Sequence, residues 1–347
     1  MLPNNSMKYL SESKFNFKGK TVLLRIDTDV DLKDENGRLV VDEDYRLKAA
    51  LPAIHFLQEK GTKKIIMIGH MGRPAGKVMS DLSLSPVVDW FSDNLSTACQ
   101  LVNIERAKKE KSGIFLLENI RFHPEEEEND PDFSKKLAGL GNVYINEAFG
   151  VSHRSHASIV GITKFLPSFL GLRFEGEVKA LSVLLKKAAR PLVFVLGGSK
   201  RGKLDHVHFL SSWADKLLIG GMLPVRISQE KIKTDPEKVV IGSLNKQGKD
   251  LDQKTIANFK VILASAATIV WAGPMGVYEE EENRKGTEEI ARAISETVSF
   301  KVAGGGDTHR VLSWFSLWDS FDFVSTGGGA MLQFLQSKSL AGMVRAK

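Results

Sequence analysis

"TVLLRID" at residues 21–27, "DYRLKAALPAIHFLQEKG" at 44–61 and "KIIMIGH" at 64–70 decide the fold. The outer two are continuous apolar runs rich in Leu, Ile and Val, as expected of strands buried on both faces of a parallel sheet. In the middle stretch Leu47, Ala50, Leu51, Ile54 and Leu57 recur at helical spacing, and Gly61 stops the helix. Strand, helix, strand implies a parallel sheet with helices on both faces. Working outward, "GIFLLEN" (113–119) and "NVYINEA" (142–148) read as further strands of the same kind. A second series follows: "PLVFVLGG" (191–198), "KLLIGG" (216–221), "TIVWAG" (268–273), "FKVAGGG" (300–306) and "FDFVSTGGG" (321–329), each strand running into glycines. Between the series, "EGEVKALSVLLKKAARP" (175–191) reads as one helix ending at Pro191. The expectation is an α/β protein with a first domain over 1–174, a connecting helix over 175–190 and a second domain over 191–330. A length of 347 residues also exceeds what one core comfortably serves. The acid run "PEEEEND" (124–130) reads as a solvated loop or helix start.

Composition is that of an ordinary globular protein, 42% hydrophobic and 26% charged. No run of 18 apolar residues is present, so no membrane span is expected. The opening "MLPNNSMKYLSESKF" lacks the apolar core of a secretory signal. A single cysteine, Cys99, forbids an internal disulfide and suits a reducing compartment, so a cytoplasmic location is expected. A net charge of +6 favours anionic partners without saying which.

In open parallel sheets ligands bind at the carboxyl ends of the strands. Asp27 and Asp29 follow the first strand, His70 and Arg73 the second, Arg121 the third, and His153 and Arg154 the fourth, while Arg46 opens the first helix. Arginine's planar fork matches carboxylate and phosphate oxygens, so this rim suits a small, multiply charged anion. "HRSH" (153–156) lacks the cysteine pairs or acidic partners that zinc would need at ligand spacing. A nucleic-acid face would spread its basic residues along an exposed surface with stacking aromatics, whereas these converge on strand ends.

The second series offers glycines instead. "VAGGGDTHRVL" and "FVSTGGGAMLQFL" each run strand, glycines, helix, a shape that lets backbone N–H groups at a helix N-terminus meet phosphate. Asp307 in the first of them would repel phosphate unless a divalent cation such as Mg²⁺ bridged the two. In "LGGSKRGKLD" (196–205) Gly197, Gly202 and Lys203 have P-loop spacing, but Leu204 stands where Ser or Thr is needed. A Gly-Gly turn carrying Lys200 and Lys203 toward phosphate is the more economical reading.

In "GKTVLLRIDTDV", "DYRLKAALPAIHFLQEKG", "GHMGRPAGK", "LLENIRFHPEEEEND", "NEAFGVSHRSHASIVGI", "RPLVFVLGGSK", "TIVWAGPMGVYE", "VAGGGDT" and "VSTGGGA", in that order, the chain resembles the phosphoglycerate kinases over nearly its whole length. The resemblance implies two Rossmann-like domains with parallel sheets facing a central cleft, and reversible phosphoryl transfer between 1,3-bisphosphoglycerate and Mg-ADP. By match to the family's motifs, Asp27, His70, Arg73, Arg121, His153 and Arg154 would surround the glycerate substrate, with Asp29 beside it. Arg46, with Lys200 and Lys203, would steady the transferring phosphoryl group, and Gly306 and Gly329 would offer it backbone N–H groups. Gly198, Gly221, Pro274 and Glu279 would frame the nucleotide. Gly305, Gly306, Asp307 and Thr308 would hold its phosphates and Mg²⁺, with Asp307 as the metal ligand. The resemblance further implies that the helix over 175–190 acts as a hinge, that the tail (331–347) returns to the first domain, and that the chain is a monomer acting on small molecules, with neither nucleic acid nor membrane as partner.

Departures from the family cluster at the ligands. "DTDVD" (27–31) puts Asp29 where the family has Asn, Ala272 replaces another Asn, "GGSKRGKL" is one residue short, and "IGGMLP" is one glycine short. Those changes admit an alternative, a non-catalytic ligand-binding protein on the same fold. The position of Lys203 and the pairing of Asp29 discriminate the two.

Overall fold

The computed structural model describes residues 7–343. Contacts divide the chain into two compact units, one running to Lys179 and taking up the chain again from Ser339, the other spanning Ala180–Lys338. The connecting helix, Leu172–Lys187, starts earlier than the sequence pattern suggested and contributes to both units. The helix Gly328–Ser337 belongs to the second unit, so the tail rejoins the first at Ser339 rather than at 331. Residues 344–347 of that tail lie outside the described residues.

The strands are β1 (Thr21–Arg25), β2 (Leu32–Glu35), β3 (Arg38–Val41), β4 (Lys64–Ile68), β5 (Cys99–Val102), β6 (Gly113–Leu117), β7 (Val143–Asn146), β8 (Ser168–Leu170), β9 (Leu192–Leu196), β10 (Lys216–Ile219), β11 (Val239–Ile241), β12 (Thr268–Ala272), β13 (Phe300–Gly304) and β14 (Phe323–Ser325). The first unit carries a parallel sheet in the order β5-β6-β4-β1-β7-β8. The second carries one in the order β11-β10-β9-β12-β13-β14, also parallel. The α/β reading with two parallel sheets therefore holds. β2 and β3 form a hairpin closed by Asn36-Gly37, both at positive φ (57° and 81°), the pair a two-residue hairpin turn favours.

Alternation along the strands shows how the first sheet is covered. Val22 and Leu24 pack with Ile65, Met67, Ile114, Leu116, Val143 and Ile145 beneath the helices Tyr45–Glu59 and Ser85–Asn94. Leu23, Ile66, Ile68, Phe115 and Tyr144 face the other way, toward the helices Ile104–Lys109 and Pro131–Ala138. Burying both faces leaves only the strand ends for polar chemistry. β1, β4, β6 and β7 are contiguous, so their carboxyl ends form a single rim.

The strands that sequence reading passed over are β5, β8, β11 and the β2–β3 hairpin. Three of them are sheet edges of three or four residues, and the hairpin lies outside the two large sheets. The acid run 124–130 is only partly solvated. Pro124–Glu128 is a short helix, and Glu126 is fully buried.

Candidate functional site

On the first unit's rim, Asp27 is buried, and its Oδ2 accepts the Gly150 N–H at 2.9 Å, tying the end of β1 to the loop after β7. Asp29 Oδ1 accepts the Gly72 N–H at 2.8 Å, and its backbone carbonyl accepts from the half-buried Arg46 guanidinium. Asp29 is thus paired with the turn that follows β4. His70 is buried, its Nδ1 lies 3.0 Å from Nη2 of Arg25, and its carbonyl accepts from Thr28 Oγ1 at 2.7 Å. Arg121, in a 3-10 turn after β6, is buried, donates to the Gly72 carbonyl at 2.7 Å and lies 3.3 Å from Glu127 Oε1. Arg154 and His153 are half-buried in the loop after β7, and Arg73 is exposed.

Electrostatics show that these groups sit within one another's fields. Burial pushes the Arg121 guanidinium down to about 10, and neighbouring Arg154 and Arg25 add to it, yet it stays charged at neutral pH. Arg154 is lowered by burial and then by Arg73. Burial, then Arg121, Arg25, Arg46 and His156, holds His70 well below the ordinary histidine range. Burial and the same arginine cluster push His156 down to about 3, so it is neutral. Asp27 is raised by burial even though Arg46 and Arg25 pull the other way. The rim gathers Arg46, Arg121 and Arg154 around His70 and His156, both of which are held below the ordinary histidine range.

Sequence reading missed the layer beneath. Arg25 is fully buried; its Nε donates to Ser158 Oγ at 2.9 Å, and Ser158 Oγ donates to Glu126 Oε1 at 2.6 Å. A lone arginine inside the apolar strand "TVLLRID" was the signal. An interior cation must find donors' partners and a counter-charge, and here Ser158 relays it to Glu126.

In the second unit the glycine turns pack backbone to backbone. The N–H of Gly198 (φ +87°) donates to the Pro274 carbonyl at 2.7 Å, and the N–H of Gly221 (φ +62°) to that of Met275 at 2.8 Å. A Cβ on Gly221 would lie 2.5 Å from the Gly198 nitrogen, so no side chain fits there. Lys203 points into this floor, donating from Nζ to the carbonyls of Gly197 (2.6 Å) and Ala272 (3.0 Å). Burial pushes its ammonium down to about 8, opposed by Asp307 and reinforced by Lys200. The shortened loop therefore keeps the second lysine among the turns. Its residues Arg201–His206 are a 3-10 segment preceding the helix Val207–Trp213, and the P-loop reading stays excluded by Leu204.

The helices Gly306–Trp314 and Gly328–Ser337 start on the adjacent strands β13 and β14, and a Cβ on Gly328 would come within 3.1 Å of Gly305 Cα. Gly305 itself is at φ +112°. Two helix N-termini this close concentrate free N–H groups where an anion can meet them. Asp307 is half-buried in the first turn, with Oδ2 3.8 Å from Nζ of the exposed Lys200. Among the described residues no group of three or more His, Cys, Asp or Glu could hold a metal alone. A single carboxylate beside an anion site suits Mg²⁺, which binds through one or two carboxylates, water and substrate phosphates. Thr308 is fully buried, and its Oγ1 accepts the Gly273 N–H at 2.9 Å and lies 3.2 Å from the Gly304 carbonyl. What it can present to a phosphate is its backbone N–H. Pro274 is buried in the turn, Glu279 is exposed beyond Tyr278, and Gly329 is exposed at the start of its helix.

The family model for phosphoglycerate kinase matches residues 13–231 and 224–338. The chain belongs to the phosphoglycerate kinase family. Among curated phosphoglycerate kinases, that of Chlorobium phaeobacteroides (strain BS1) is 36% identical over 94% of this chain and 96% of its own length. That of Borrelia garinii subsp. bavariensis is 35% identical, with the same coverages of 94% and 96%. Among solved structures, phosphoglycerate kinase from Pyrococcus horikoshii OT3 superposes with a TM-score of 0.81 at 27% identity, covering 97% of each chain. That from Coxiella burnetii gives 0.72 at 29% identity, covering 96% of this chain and 97% of its own. Asp29 and Ala272 are the positions that the sequence reading sets apart from the family's motifs. Asp29 is held by a backbone N–H, and Ala272 serves Lys203 through its carbonyl.

Proposed function

We infer that the protein catalyses reversible phosphoryl transfer between 1,3-bisphosphoglycerate and Mg-ADP, giving 3-phosphoglycerate and Mg-ATP. The observation that carries this reading is the convergence of Arg46, Arg121, Arg154 and His70 on one rim, in a chain matching the kinase family from residue 13 to 338. Phosphoryl transfer needs little covalent work from a protein; it needs alignment and positive charge around the moving group. Arg73, Arg121 and Arg154 would hold the substrate phosphate, with His153 beside them. Asp27 and His70 would meet the glycerate, and Asp29 would fix the turn that follows His70. Arg46, Lys200 and Lys203 would neutralise charge on the transferring group, which the N–H groups of Gly306 and Gly329 would also meet. Gly198, Gly221, Pro274 and Glu279 would frame the nucleotide, and Gly305, Asp307 and Thr308 its phosphates.

Asp307 is the residue that would hold Mg²⁺, which when bound supplies charge neutralisation on the nucleotide phosphates. We further propose a cytoplasmic monomer acting on small molecules. Among the described residues no helix is long and apolar enough to cross a membrane. The binding-only alternative is not favoured, since Lys203 stays within the field of Asp307 and Asp29 is paired.

The test is a coupled assay with 3-phosphoglycerate and Mg-ATP, with and without EDTA. Metal-dependent turnover is expected. Absent turnover with calorimetric binding of 3-phosphoglycerate retained would replace this reading by the binding-only one.

A further inference from the structure

We propose that Arg25 is a positioning residue that locks His70 in its neutral Nε2–H tautomer, so that the anionic substrate meets a fixed hydrogen-bond donor that gains no proton on binding. His70 matters in this way because the rim is read as the 3-phosphoglycerate site, and the proposal stands on that reading.

The chemistry leaves one solution. Arginine has five N–H donors and no acceptor, so the 3.0 Å contact between its Nη2 and His70 Nδ1 requires Nδ1 to accept. A neutral imidazole that accepts at one nitrogen carries its proton on the other. Protonating Nδ1 would set two cationic donors against each other inside the protein. Arg25 cannot swing away to relieve this. It is fully buried, its Nε donates to Ser158 Oγ at 2.9 Å, and its Nη1 reaches the carbonyls of Ile26 and Ile68. Its counter-charge is relayed, not direct: Ser158 donates to both oxygens of the buried Glu126, from Oγ at 2.6 Å and from its N–H at 2.9 Å.

The remaining groups facing His70 are Arg46 from the helix Tyr45–Glu59, Arg121 from the turn after β6 and His156 from the loop after β7. All push it toward the neutral form, with burial the largest cause. An arriving phosphate would reverse that field and draw a proton onto an unclamped histidine. The clamp prevents this, so affinity through His70 does not change with pH.

The first measurement uses the unaltered full chain. Nitrogen-15 NMR of the histidine rings, with His70 assigned from a His70→Gln spectrum, is followed between about pH 5.5 and about pH 8.5, a span bracketing the ordinary histidine pKa. The expected result is an Nε2–H tautomer throughout, with and without 3-phosphoglycerate. An Nδ1–H tautomer, or protonation within the range, overturns the proposal.

The second measurement is the ratio of KM for 3-phosphoglycerate in Arg25→Met to that in the unaltered protein, a ratio that cancels the titration of the substrate phosphate. It should rise about tenfold near pH 8 and fall as the pH is lowered, when His70, still held down by burial and Arg121 but no longer by Arg25, takes a proton in the substrate complex and replaces the lost cation. A ratio constant with pH means that Arg25 is only structural and rejects the proposal. Should Arg25→Met fail to fold because Glu126 is left unpaired, Arg25→Met with Glu126→Gln removes both buried charges, and the NMR result decides regardless. Turnover together with a titrating His70 rejects the clamp alone. Absent turnover with His70 in the expected form rejects the reading of the rim, and with it the positioning role.

Discussion

A carboxylate among arginines can repel an incoming anion or hold the arginines in place, and Asp29 is placed to do both. Its Oδ1 accepts the Gly72 N–H at 2.8 Å, and its charge acts on Arg121 and Arg154. Asparagine would keep the acceptor and lose the charge. Asp29→Asn should therefore lower KM for 3-phosphoglycerate about fivefold, the equivalent of ~1 kcal/mol for one well-solvated charge pair. A raised KM in steady-state kinetics would mean that the charge is what holds the arginines. Arg46 should behave differently. If it meets the moving phosphoryl group only as charge builds there, Arg46→Ala lowers kcat by about 100-fold or more and moves KM little. An unchanged kcat removes it from that role. At this scale the sequence showed which residues gather but not how each is spent. Arg121 and Arg154 were legible because they follow strand ends, and Arg46 because it opens the first helix. The buried duties of Arg25, Ser158, Glu126 and Thr308 were not, because they depend on which atoms meet across elements far apart in the chain.

The elements themselves were legible where the apolar runs are long. β1, β4, β9 and β12 are continuous, doubly buried strands and could be read from composition alone. β8 and β11, with three residues each at sheet edges, carry too little pattern to separate from loop. The glycine turns were visible as spacing, but their tight backbone packing was not. That packing encloses the Lys203 ammonium between the carbonyls of Gly197 and Ala272 and pushes it down to about 8. Above that pH the nucleotide-free protein therefore holds Lys203 largely neutral. A nucleotide phosphate favours the charged form, so binding of Mg-ADP near pH 8.5 should take up a proton, and affinity should weaken as pH rises through about 8. Calorimetry in buffers of different ionisation enthalpy measures the uptake directly, and Lys203→Met should abolish it. Equal heats in all buffers for the unaltered protein would show that Lys203 does not meet the nucleotide.

At the scale of the whole molecule, the two candidate ligand sites rest on separate sheets in separate compact units. A ligand that binds only the folded state stabilises what it binds by RT ln(1 + [L]/Kd), about 2.7 kcal/mol at 100 times Kd. Local opening is governed by the stability of the unit that opens, so each ligand should protect its own unit first. In hydrogen exchange, 3-phosphoglycerate alone should slow the amides of the loops after β1, β4, β6 and β7, including Gly72 and Gly150, whose N–H groups are held by Asp29 and Asp27. Mg-ADP alone should slow the turns after β9, β12, β13 and β14, including Gly198 and Gly273. The assignment of sites to units predicts two separate protection maps. If 3-phosphoglycerate instead slowed the glycine turns while leaving Gly72 and Gly150 unchanged, the arginine rim would not be the glycerate site, and the division of labour drawn from the strand ends would fall.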